Sequence, residues 1–463
     1  MSLIDEEGNL FGVINVIDAL VVLVILAVVA AGAAFVLQPS DSGPEPETTI
    51  VTLDLGTQPE YLIAELNEGD TYSPSGSSQL TITDIHLTPS EEGTKVIIRA
   101  ELQGPAGEEG ITYADAPPRL GRSLEIQTNR YAVSGQIRAI GNQEAFADDT
   151  TTVVLRETLP APDAQVIAPG DEIRIAGRTV ATINDVAAYT TSDPTERTVF
   201  VEAALQTHQE QGQHHFGGNP LRRGQVVSLP SEEYTYAGRI ERVGSGLDRG
   251  RADVLLEAVV DSETADRLAD GDVARAGSHE TATIENVITY ATQDPNQERV
   301  FVGVSLRTLG YGEREQFGAT PVQRGNTINL TSENYQLSSS IERVGAVEPR
   351  GTAATRTVVL RMNEVRKQFA DALQPGMTER TDGKTIATIN RVAVEPSVII
   401  ATGEDGSVNV VDHPINRDVT ITATLRVRET TSNILFKGQS LQQQSQIVID
   451  LGTITIEATV VSA

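Results

Sequence analysis

No cysteine occurs in the 463 residues, which excludes disulfide staples and thiol catalysis alike. Lysine is almost as scarce: Lys95, Lys367, Lys384 and Lys437 are the only four, and arginine supplies the remaining positive charge. Aromatic residues make up 4% of the chain. Basic residues number 35 against 64 acidic ones, leaving a net charge of −29 and a pI near 4.5. A field of that sign argues against nucleic-acid binding, which needs Lys and Arg aligned on phosphates. Also missing are a Ser/His/Asp order with a nucleophile elbow, a phosphate-binding loop and a metalloprotease helix. Acid-rich, Lys-poor, Cys-free composition suits a halophilic protein. In molar salt the Debye length falls to about 3 Å, and acidic self-repulsion is screened.

One long apolar run is present. Ala19 to Leu37 carries no charge, and nineteen helical residues span about 28 Å, close to the hydrocarbon thickness of a bilayer. No Lys or Arg precedes it, so it lacks the basic n-region of a cleaved signal peptide. The expectation is a tail over residues 1–15, a single transmembrane helix over 16–37 embedded in the lipid bilayer, and a polar, Pro-containing linker over 38–48. The first basic residue is Lys95, so charge does not set the orientation. A short tail before a long chain leads to the expectation that the bulk of the chain lies outside the cytoplasm, and the one sequon at Asn329-Leu330-Thr331 is compatible with that.

The rest of the chain is built on one phrase. LADGDVARAGSHETATIENV (268–287) recurs as IAPGDEIRIAGRTVATINDV (167–186), as LQPGMTERTDGKTIATINRV (373–392) and, more loosely, as LNEGDTYSPSGSSQLTITDI (66–85). Copies about 100 residues apart mean tandem domains, here 49–148, 149–248, 249–352 and 353–463. Period-two runs rich in Val, Ile and Thr open each copy, and a second strong strand leads its latter half, as in Thr198–Leu205 and Arg299–Leu306. Short helical stretches are expected at Glu60–Leu66, Glu263–Leu268 and Val365–Leu373. Gly69, Gly170, Gly271 and Gly376 then fall where a turn needs positive φ. Each half of a repeat reads strand, connection, apolar-x-x-Gly-polar, strand. The predicted architecture is therefore mainly β: four small β-barrel-like repeats, each a pseudo-twofold duplication, behind one transmembrane helix.

One feature recurs in the middle loops. Tyr113, Phe216, Phe317 and Phe436 each stand four residues before Pro117, Pro220, Pro321 or Ser440. With aromatics so few, rings kept in register either plug the end of each barrel or form an apolar ring presented to neighbours. His208, His214 and His215 form the one His cluster, which one repeat alone carries, so a solvated loop is expected rather than a metal site. The Gly-Asp pairs lack a D-x-D-x-D-G pattern, and Met377 replaces the Asp in the fourth copy, so turn chemistry accounts for them. No metal or cofactor is expected.

Two resemblances add to this. Leu10-Phe11-Gly12-Val13-Ile14-Asn15-Val16-Ile17-Asp18, running into ALVVLVIL, resembles domain-of-unknown-function family 4330, bitopic membrane proteins of halophilic archaea and cyanobacteria. Leu268-Ala269-Asp270-Gly271-Asp272 and the strand to Val287 are similar to the MCE domains of bacterial lipid-transport systems, with Ala282 and Ala181 where that phrase has its third Gly. The latter likeness implies barrels stacked into oligomeric rings or tubes for hydrophobic molecules. The anchored β-barrel adaptors of export pumps are analogous in architecture alone. The reading is a non-enzymatic, single-pass envelope protein whose β domains form an extracytoplasmic stalk or scaffold, as a homo-oligomer or with envelope protein partners. The alternatives are an MCE-like or adaptor-like conduit for apolar cargo and, last, an enzyme. Four near-copies in series argue against a single active site.

Overall fold

The computed structural model describes residues 9–10, 14–15, 46–90, 93–107, 110–141, 149–210, 212–312, 314–381, 383–402 and 408–463. The proposed transmembrane segment at 16–37 lies outside the described residues. Among those described, no helix is long and apolar enough to cross a membrane. In the N-terminal tail, Asn9–Leu10 pairs antiparallel with Ile14–Asn15. The chain forms two compact units, one of Met1–His86 with Lys95–Phe146, the other of Leu87–Thr94 with Ala147–Ala463.

Every repeat is built on one curled antiparallel sheet, to which the first adds a separate short ladder of Ala106–Gly107 with Gly110–Ile111. In the third repeat a long opening strand, Arg249–Asp261, leads into a six-residue helix, Ser262–Arg267. A hairpin of Val273–Ala276 with His279–Ala291 follows, and Gln297–Tyr311 then pairs back on both His279–Ala291 and the opening strand. The closing hairpin, Thr327–Thr331 with Gln336–Val344, adds to the other side of the opening strand. Sheet order thus runs outward from a central pair, Arg249–Asp261 and Gln297–Tyr311, with one hairpin on each flank. Reversing the order exchanges the two halves of the repeat.

The local chemistry repeats with the same symmetry. Gly271 N–H donates to the Ile284 carbonyl and Ile284 N–H to the Asp272 carbonyl, while Gly325, Ile341 and Asn326 make the same pair of bonds in the second half. A bulge follows the apolar residue in both halves, between Ile284 and Asn286 and opposite Leu255 and Leu256. The first-half glycines hold φ of +87° at Gly69, +96° at Gly170, +89° at Gly271 and +93° at Gly376, a region costly for residues with a Cβ. In the second half of the fourth repeat, Gln444 occupies the corresponding place at φ +71° and donates to the Val460 carbonyl at 2.8 Å. Gln444→Gly removes that strain, and chemical denaturation should show a gain of about 0.5–1 kcal/mol.

Three details differ from the sequence expectation. A helix also forms at Ala161–Val166, although Pro162 stands in it; Pro is tolerated in a first helical turn, where its missing N–H has no intrahelical partner. The curled sheets are half-barrels: among the described residues no ladder joins the two edge strands, and side chains meet across that seam instead. The fourth repeat's first-half hairpin is longer than the others. Its strands, Lys384–Thr402 and Val408–Glu429, have 19 and 22 residues, against 13 and 15 in the third repeat.

Candidate functional site

The seam is closed by a tyrosine and an aspartate in three repeats. The Tyr131 hydroxyl donates to Asp70 at 2.7 Å, Tyr234 to Asp171 at 2.6 Å and Tyr335 to Asp272 at 3.1 Å. Each aspartate also accepts a backbone N–H three residues earlier, from Asn67, Ala168 and Ala269. The carboxylate therefore caps its own turn and latches the opposite edge of the sheet. In the fourth repeat Met377 and Ile454 stand at the two positions, and both pack on the apolar core. Sequence reading took the aspartates for turn residues alone; the paired exchange of Asp and Tyr for Met and Ile was the signal that could have revealed the contact.

Burial, reinforced by the facing carboxylate, pushes the Tyr131, Tyr234 and Tyr335 hydroxyls well above the ordinary value of 10. The unfolded chain therefore sheds these protons first. The stability contributed is complete below pH 10 and is lost as pH rises from 10 toward the folded values. Phenolate absorbance and loss of β circular dichroism should rise together above that pH. Tyr234→Phe, which removes one bond to a charged acceptor, should cost about 1–2 kcal/mol at neutral pH.

The loop aromatics form the second element of the site. Phe216 pairs with Asn219, Phe317 with Thr320, Phe436 with Gln439, and Tyr113 forms a bridge to Ala116. The residues between turn through the left-handed region, as in a type I′ hairpin: Ala114 and Asp115, Gly217 and Gly218, Lys437 and Gly438. All four rings are buried, from 1% exposed at Tyr113 to 5% at Phe216. In the first unit, the Arg122 guanidinium binds the carbonyls of Tyr113, Ala114, Ala116 and Pro117 and holds the turn. Burial pushes the Tyr113 hydroxyl up to about 12.

In the second unit these turns are the joints between repeats. The Phe317 ring meets Tyr189 of the preceding repeat edge-on at 5.1 Å, and Tyr189 meets Phe200 at 6.0 Å. A methyl group added at Gly318 would stand 2.9 Å from the Tyr189 Cβ, and one at Gly438 would stand 2.2 Å from the Phe301 ring. Gly217 stands in the same way against Thr88, which belongs to this unit. The turn of one repeat thus rests on the first-half hairpin of the repeat before it. At the joint of the second and third repeats the cores merge, with Val154, Ala187, Tyr189 and Phe200 in one cluster with the third repeat's interior. Arg249 seals this joint, with two bonds to Asp185 at 2.8 and 2.7 Å and a third to the Val186 carbonyl. Asn329 of the sequon is half-buried here, and its carbonyl accepts from Thr190.

The next joint is built differently. The fourth repeat's core is a cluster of its own, and a cleft of about 680 Å³ runs between it and the third repeat, past Asn286, Glu298, Lys384 and Arg428. Beside the cleft, Lys437 forms a buried ion pair with Glu379 and donates to the Val448 carbonyl at 2.9 Å. Burial pushes the Glu379 carboxyl up and the Lys437 ammonium down, and each charge partly offsets the other's shift. The third repeat has Ala274 and Gly318 at these positions, so the ion pair belongs to the fourth repeat alone.

The histidine stretch is not the solvated loop expected from the sequence: His208 and His215 are buried and pair across a ladder with rings stacked at 5.5 Å, while the more exposed His214 lies 3.3 Å from Asp149. Among the described residues no group of three or more His, Asp or Glu side chains is placed to hold a metal ion.

Within the second unit, fold and joints together define a class: a tandem array of curled antiparallel sheets in which successive repeats are coupled by aromatic-led turns. The comparison with known families concerns the N-terminal part: residues 1–141 match the model of a domain of unknown function (DUF4330), which takes in most of the first repeat as well as the residues before it. No curated protein and no solved structure matches the chain.

Proposed function

We propose that the protein is a non-enzymatic stalk or scaffold of the cell envelope. It is anchored by one transmembrane helix at residues 16–37, with its repeats outside the cytoplasm in a high-salt medium. The observation that carries this reading is the use made of the loop rings. All four are buried, and Phe317 is consumed in welding one repeat to the next. Rings spent on joints within a chain favour a structural series over a channel lined by aromatics. The charge of −29 fits a surface kept soluble in concentrated salt.

Two measurements test the parts separately. Deleting residues 1–37 should release the protein from membranes that otherwise resist alkaline washing; retention without that segment would defeat the anchor. Mass and shape of the detergent-extracted chain in molar salt should be those of an elongated particle. A closed ring carrying bound lipid would defeat the stalk and favour the conduit.

A further inference from the structure

The joint of the third and fourth repeats lacks the seal that closes the joint before it. Aligned through the ladders, Arg249 of the third repeat corresponds to Ala353 of the fourth, and Asp185 of the second to Asn286 of the third. The contact of Arg249 with Asp185 therefore has no counterpart at these two positions. A smaller cavity, of about 150 Å³, opens beside the cleft, with Ala353 in its wall. Tyr290 of the third repeat and Ile386, Val427 and Phe436 of the fourth supply its apolar lining. A space of that size holds a benzene ring.

The charged lining of this cavity has one sign. Lys384, Arg426, Arg428 and Lys437 border it, and among the described residues no acidic side chain does. Two of the chain's four lysines thus meet at one place in a molecule of charge −29. At the corresponding positions the third repeat has His279, Arg307, Leu309 and Gly318, so three of the four cations are new to the fourth. The one that is shared has lost its acid: Glu280 holds Arg307, and Thr385 stands in that place beside Arg426. Two of the cations are engaged, Lys437 with Glu379 and Arg428 with the carbonyls of Arg350 and Gly351, Glu348 standing 3.9 Å from Arg428. Lys384 and Arg426 are exposed and make no ion pair among the described residues. Glu298 and Glu348 line the wider cleft outside the cavity.

We propose that this cavity binds a small organic anion, a ring-sized apolar body against Tyr290 and Phe436 with one carboxylate on Lys384 and Arg426. The apolar walls select against inorganic anions, whose hydration they cannot replace. The two cations select against neutral and cationic molecules of the same shape. Because both repeats supply walls, the occupant fills at this joint the gap that Arg249 closes one joint earlier, and its binding couples the third repeat to the fourth. Apolar burial holds it in concentrated salt, where attraction between exposed charges alone is screened. The site asks only that these two repeats fold, so it stands or falls apart from the anchor and the stalk proposed above.

Titration calorimetry of the full chain, in an uncharged detergent and molar salt, tests this with benzoate as the probe. Benzoate should bind saturably, one per chain, and at least tenfold more tightly than benzyl alcohol, benzylammonium or inorganic phosphate. Equal binding of the alcohol would reduce the site to an apolar gap. Equal binding of benzylammonium would mean that the acids of the cleft govern it, and equal binding of phosphate would leave the apolar walls without a role. Each of these overturns the proposal, as does a failure of benzoate to saturate. Lys384→Gln with Arg426→Gln should lower the benzoate association constant at least tenfold and leave the melting transition in place, since both side chains are exposed. Thr385→Glu, which installs the acid that holds Arg307 in the third repeat, should weaken benzoate binding without unfolding the chain. Unchanged affinity in either folded variant also overturns the proposal.

Discussion

Phe317→Ser should lower the unfolding free energy by about 3–5 kcal/mol, the range for removing a fully packed phenyl ring. The ring is 4% exposed and belongs to the one cluster that spans the second and third repeats. Its loss opens a void in both at once, and Ser places a hydroxyl where the neighbours are Tyr189 and other apolar groups. Cooperativity should suffer as well as stability. Wild-type second and third repeats should melt as one unit, and the variant should show the third separating at lower temperature. Calorimetry checks both points. An unchanged transition would mean that the ring is not part of the weld and is free for an outside partner.

The second large effect belongs to Lys437. Lys437→Met leaves Glu379, 3% exposed, without its cation, and breaking a buried pair from one side costs about 3–5 kcal/mol. The sign of its pH dependence follows from Glu379. Without Lys437 its folded carboxyl value rises further above the unfolded one, so the deficit is largest at neutral pH and shrinks as the medium is acidified. Installing the third repeat's residues at both places, Glu379→Ala with Lys437→Gly, removes the charge along with its partner and should recover most of the loss. Denaturation curves of the single and double variants at neutral and acid pH distinguish a structural ion pair from a dispensable one.

What could be read in the sequence was what repeats locally. The glycine phrase gave the copies, their spacing and their turns, because a left-handed residue and the strand that clamps it lie within about 15 residues of one another. Contacts between distant positions were harder. The Asp–Tyr seam joins residues 61 or 63 apart and shows only when the fourth copy is set beside the others. The loop aromatics were legible as a recurring feature, but whether they face solvent, their own core or a neighbour is decided by the hairpin of another repeat. Pro396 and Pro414 concealed the long arm, since proline ordinarily argues against a continuous strand; in the fold both lie by a bulge, between Pro396 and Val398, where pairing is already interrupted. The buried pair of Lys437 and Glu379 had no local signal beyond the scarcity of lysine itself.

The direction of the joints bears on how the protein is made. In the second unit each hairpin platform precedes in the chain the turn that rests on it: Tyr189 comes before Phe317, and Phe301 before Gly438. A nascent chain emerges in that order. The second and third repeats are therefore each complete, with the aromatic shelf displayed, before the turn that will occupy the shelf has left the ribosome. No repeat has to wait for downstream sequence to finish its own sheet, and the shelf is exposed only while its successor is being synthesised. Assembly proceeds as a vectorial addition, and an arrest in translation would strand one uncovered shelf.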